Sequence, residues 1–153
     1  MSSHGVELPS DYLDLLRELS SARADYLLIG GWAVAVHGHG RATDDMDVWV
    51  RPTRENAERV YSALVAFGAP LPSEGLDSGM FASPRYGYRM GRKPLLIEVL
   101  TTIDGVEFEE AALESIQVTI GSLTVPVIGR EALLKNKRAA GRPKDLADIE
   151  ALE

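Results

Sequence analysis

From Ser10 onward, apolar side chains recur with a helical period at Tyr12, Leu13, Leu15, Leu16 and Leu19. This predicts a helix over about 10–22, with Ser10 and Asp11 placed to cap it. Tyr26-Leu27-Leu28-Ile29 is an unbroken apolar run stopped by Gly30-Gly31, the pattern of a buried strand that turns sharply. A short helix over 32–37 follows, and the β-branched and apolar stretch 46–50, ended by Pro52, reads as a second strand. A second helical stripe, Ala57, Val60, Tyr61, Leu64 and Val65, predicts a helix that opens at Thr53, lies on a sheet and stops at Gly68. Residues 69–84 read as a long surface loop. Two hairpins are expected, one from 86–90 and 95–100 and one from 116–120 and 123–127, the second closed by Gly121-Ser122 in a II′ turn. A short helix over 107–113 and two helices over 130–153, broken at Gly141-Arg142-Pro143, complete the pattern. The order predicts an α+β fold, a small mixed sheet flanked by helices with C-terminal helices, over 1–153 as a single domain.

Composition narrows the function classes. Basic residues number 16 against 23 acidic ones, a net charge of −7, which argues against a general nucleic-acid coating protein. Hydrophobic residues at 45% and charged residues at 25% match a folded globular chain. The longest charge-free stretch, 26–40, contains four glycines and two histidines and falls short of the ~20 apolar residues of a membrane span. The first ten residues lack the basic start and apolar centre of a secretion signal, so a cytoplasmic protein without membrane association is expected. With no cysteine, any metal must be held by oxygen or histidine.

The chemistry concentrates where the first two strands end. Asp45 and Asp47 are two apart on the second strand, so they project from one face with α-carbons ~7 Å apart. Such a pair can share hard divalent cations, and two magnesium ions held about 4 Å apart can clamp the attacking and leaving oxygens of a phosphoryl displacement. Gly30 and Gly31 lack β-carbons and let the backbone approach a triphosphate. Alone, an Asp-x-Asp is usually a solvated strand end and a Gly-Gly a turn; their joint occurrence at strand ends makes the signal. A local reversal of sign follows later: Arg130, Lys135, Lys137, Arg138, Arg142 and Lys144 are interrupted only by Glu131. This is a natural place for a triphosphate or a nucleic-acid acceptor, the bland reading being a solvated face with intrahelical ion pairs. Arg41 and Thr43 precede the acids and can orient them, and Arg41 can also contact phosphate.

Gly30-Gly31, the intervening stretch and Asp45-x-Asp47 together resemble the signature of the DNA polymerase β-like nucleotidyltransferase superfamily. Gly-Gly-Trp-Ala-Val at 30–34, His37-Gly38 and Arg41-x-Thr43-x-Asp45-x-Asp47 are most similar to its minimal members, including abortive-infection toxin and antitoxin types and antibiotic nucleotidyltransferases. The resemblance implies transfer of a nucleoside monophosphate from a nucleoside triphosphate to an acceptor hydroxyl, with two magnesium ions at Asp45 and Asp47. It implies a third carboxylate on a later central strand, the position matched by Glu98 within the apolar run 95–100, where the family more often has Asp. A water-facing strand-edge Glu is the plain alternative. The tail from Lys135 to Asp148 resembles the family's C-terminal motif, with Lys135 or Lys137 as the phosphate contact. Gly30, Gly31, Arg41 and Thr43 would complete the nucleotide site. The acceptors it allows are a transfer RNA end, a partner protein as in a toxin–antitoxin pair, or a small drug.

Among the remaining residues, His37 and His39 could bind a transition metal, though a structural hydrogen bond suits His37 better. Trp32 and Trp49 read as packing residues, Trp32 also as a neighbour for a nucleobase. Two other classes compete: a degenerate nucleotidyltransferase acting as a protein-binding module, and a metal-dependent phosphohydrolase.

Overall fold

The computed structural model describes residues 6–39, 45–92 and 95–153. Six strands, β1 (Tyr26–Ile29), β2 (Asp45–Val50), β3 (Gly87–Met90), β4 (Leu96–Leu100), β5 (Ile116–Ile120) and β6 (Leu123–Val127), form one mixed sheet in the order β3-β4-β2-β1-β6-β5. Pairings β1–β2, β3–β4 and β5–β6 are antiparallel, and β2–β4 and β1–β6 are parallel. Six α-helices flank it: α1 (Ser10–Ser21), α2 (Gly30–Val36), α3 (Arg54–Phe67), α4 (Phe108–Leu113), α5 (Arg130–Ala140) and α6 (Pro143–Leu152). The fold is α+β, as the pattern of elements predicts. No helix among the described residues is long and apolar enough to cross a membrane.

The apolar stripes are what hold the helices in place. Tyr12, Leu15, Leu16 and Leu19 of α1 and Ala57, Val60, Ala63 and Leu64 of α3 are buried, and the two helices pack on each other. Thr53 caps α3 by accepting a hydrogen bond from the Asn56 amide, and Gly68 ends it with φ +116°, the left-handed conformation glycine adopts without cost. Asn56 is itself buried, its side chain accepting from the Asp25 amide (2.7 Å) and donating to the carbonyls of Asp25 (2.9 Å) and Arg51 (3.0 Å). These bonds tie the entry of β1 to the exit of β2, the two strands whose ends carry the chemistry.

The stretch expected to be a plain loop contains a 3₁₀ helix at Ser78–Ala82. Phe81 anchors it, fully buried with its ring edge-on to Tyr86 and Tyr88 at 5.4 and 6.3 Å. The 3₁₀ segment also packs on α3, a tertiary contact that no local period announces.

Candidate active site

The register of the sheet aligns the acidic residues. Asp47 lies opposite Ile29 on one side and Glu98 on the other, and Glu98 lies opposite Arg89. Cross-strand neighbours share a face, so a row Asp47–Glu98–Arg89 runs to the edge of the sheet, with Asp45 two residues back on the same face. The alternate residues Met46 and Val48 are fully buried on the opposite face. The hydrophobic period of β2 and β4 thus fixes which way the carboxylates point.

Gly30, the first residue of α2, meets this row where β1 ends. Its φ of +70° lies in the left-handed region, and a β-carbon there would sit 2.5 Å from Asp47 Oδ2. Only glycine permits this approach. Gly31 is buried, and Gly30 alone of the pair borders the cleft. We expect Gly30→Ala to lower stability by about 1–2 kcal/mol and to displace the Asp47 carboxylate. Gly38→Ala provides the control: its φ is +95° but nothing stands within 4 Å of the added carbon. Urea denaturation together with binding of a triphosphate analogue separates the two, because only the Gly30 variant should lose binding.

A cleft of about 360 Å³ opens over the row, bordered by Gly30, Asp45, Asp47, Glu98 and Arg89, and on its far side by Asn136, Lys137, Arg142 and Lys144. Asp47 is the most perturbed group in it. Burial, then the charges of Glu98 and Asp45, push its carboxyl up to about 6, against the opposing pull of Lys144 and Arg142. Its Oδ1 is buried and has no hydrogen-bond partner among the described residues. A hard cation would supply what this oxygen lacks, and the donor set of carboxylates facing phosphate-sized space suits magnesium. The residues therefore fit such an ion. Among the described residues no group of three His, Asp or Glu side chains is arranged as a finished metal site, and Glu98 leans instead on Arg89, 3.4 Å away.

The basic tail divides into three parts. Lys135 is absent from the residues bordering the cleft and pairs with Glu110 at 2.7 Å. Lys137 borders the cleft, but its ammonium is buried between Asp148 (2.9 Å) and Asp145 (3.4 Å), with side-chain exposures of 5%, 5% and 1%. It forms a buried ionic joint between α5 and α6. Arg142 and Lys144, members of the basic run that the sequence marks as a place for a triphosphate, face Asp47 and oppose the rise of its pKa. Asp145 holds Arg142 through Nε (2.6 Å), Nη2 (3.1 Å) and the backbone amide (3.1 Å), the last closing a capping box at the start of α6. Burial raises the Asp145 carboxyl, but the hydrogen bonds and charge of Arg142, with Lys137, outweigh it and leave it below its ordinary value.

Arg41 and Thr43 lie outside the described residues. His37 Nε2 sits 2.9 Å from the Ile128 carbonyl, a structural contact, and Trp32 packs edge-on against Tyr12 at 6.2 Å. Trp49 packs on Phe108 at 5.1 Å and donates to the Thr101 carbonyl.

No family model matches the sequence, and no curated protein does either. Solved structures match throughout. A Thermotoga maritima protein proposed to be a nucleotidyltransferase shares 14% identity over 97% of this chain and 96% of its own, with a TM-score of 0.61. ANT(2")-Ia, in complex with adenylyl-2"-tobramycin, shares 15% over 94% and 86%, with a TM-score of 0.57. The lincosamide antibiotic adenylyltransferase LnuA, bound to lincomycin, shares 13% over 95% and 96%, with a TM-score of 0.55. At these identities the likeness establishes a common fold, the nucleotidyltransferase-like one.

Proposed function

We propose that the chain is a metal-dependent nucleotidyltransferase that moves a nucleoside monophosphate from a nucleoside triphosphate to an acceptor hydroxyl and releases pyrophosphate. The observation that carries this reading is the single cleft-facing row of Asp45, Asp47 and Glu98 with Gly30 pressed against Asp47, in a fold shared with an adenylyltransferase and with a protein that holds adenylyl-2"-tobramycin. Asp45 and Asp47, assisted by Glu98, would hold magnesium, which when bound screens phosphate charge and polarises the reacting oxygens. The bare backbone at Gly30 lets the triphosphate come close. Arg142 and Lys144 face the carboxylates across the cleft, placed to neutralise charge that builds on the departing pyrophosphate. The acceptor oxygen bonds to the α-phosphorus, the bond to the pyrophosphate oxygen breaks, and a cleft carboxylate takes the hydroxyl proton.

For the acceptor we favour a small hydroxylated molecule. The cleft is modest in volume, the net charge of −7 opposes binding of a transfer RNA, and two of the fold neighbours hold tobramycin and lincomycin chemistry. A partner protein within a toxin–antitoxin pair is the competing acceptor. Mass spectrometry of a hydroxyl-compound panel, of transfer RNA and of purified candidate partner protein, after incubation with each triphosphate and magnesium, decides among them. A nucleotidyl adduct on one acceptor with matching pyrophosphate release is expected. Stable partner binding with no turnover on any acceptor would instead favour a non-catalytic module.

A further inference from the structure

The cations that border the cleft differ in how firmly they are held. Lys137 is buried between two carboxylates, and Arg142 is fixed by Asp145 through both its side chain and its backbone. Arg89 is held differently. It lies on the edge strand β3, its side chain is 65% exposed, and its one ion pair among the described residues is a single contact from Nη2 to Glu98 Oε2 at 3.4 Å. Exposed pairs of this kind contribute only ~0–1 kcal/mol, so the guanidinium exchanges partners at little cost. Its present partner is the one residue of the acidic row next in register to Asp47. A planar guanidinium also matches phosphate oxygens two at a time, which an ammonium cannot do.

We propose that Arg89 is a positioning residue that passes between two partners: it competes with a divalent cation for Glu98, and when the cation takes that carboxylate it turns to the phosphates of the donor triphosphate in the same cleft. This rests on the nucleotidyl-transfer reading and adds to it a residue whose position decides when Glu98 joins the ion. Because Arg89 sits on an exposed edge, replacing it leaves the core untouched.

The test is a double-mutant cycle read by calorimetric binding of Mn²⁺ alone, on the parent chain, Arg89→Gln, Glu98→Gln and the double variant. Arg89→Gln should tighten Mn²⁺ binding by about threefold to tenfold, and the gain should vanish when Glu98 is already Gln. The same Arg89→Gln change should weaken binding of α,β-methylene triphosphate analogues by about tenfold in the presence of magnesium. An unchanged Mn²⁺ affinity, a gain that persists without Glu98, or an unaffected analogue affinity each overturns the proposal. A parent chain that binds neither Mn²⁺ nor any analogue overturns the nucleotidyl-transfer reading along with it; a parent that binds both, with Arg89→Gln indistinguishable from it, overturns this inference alone.

Discussion

Asp47→Asn is expected to lower nucleotidyl transfer by ~10³-fold or more while making the folded protein more stable at neutral pH. Both effects follow from one side chain. In the folded chain the Asp47 carboxyl is pushed up to about 6 from its ordinary 3.8 by burial and by Glu98 and Asp45. Between pH ~4 and ~6 the native state therefore binds more protons than the unfolded one, and stability falls as pH rises through that window. Asparagine carries no charge, so the variant should lose this decline and surpass the parent above pH 6. Urea denaturation at pH 4.5, 6 and 7.5 measures the stability, and pyrophosphate release measures the activity. A variant that retains transfer, or one whose stability tracks the parent at every pH, would refute the assignment. Stability given up at one position for the sake of a charge is the usual mark of a working site.

What could be seen in the sequence followed from short-range periodicity. The hairpin at Ile116–Ile120 and Leu123–Val127 was legible from alternation and from Gly121, whose φ of +63° the turn requires. Asp45 and Asp47 share a face because a strand repeats every two residues, and Glu98 stands out as an acid within an apolar run. Their meeting depends on the parallel register of β2 and β4, which no local signal sets. Arg89 stands on an expected hairpin but was not singled out, because only the antiparallel register of β3 and β4 places it opposite Glu98. The basic tail shows the opposite failure, since its charges were visible but their directions were not. The helical period of α5 brings Lys135 to Glu110 and Lys137 to the interior, Arg142 reaches the cleft from the N-cap of α6, and that sorting depends on what the two helices pack against.

The ionic joint of α5 and α6 yields the second large effect. α6 buries Asp145, Asp148 and Leu152 while Leu146 stays exposed, so its docking depends on polar pairing more than on apolar area. Lys137→Met removes the ammonium and leaves Asp145 and Asp148 buried near each other, and losing one partner of a buried pair costs ~3–5 kcal/mol. Lys137→Arg restores the charge in a larger, planar form and should recover only part of the loss. Adding Asp148→Leu to Lys137→Met should recover more, since it replaces the ion pair with apolar volume and leaves Asp145 to Arg142. Urea unfolding of the three variants at neutral pH tests the order. If Lys137 were instead a mobile phosphate contact, Lys137→Met would leave unfolding unchanged and raise only the KM for the triphosphate, a pattern at odds with an ammonium held 2.9 Å from Asp148.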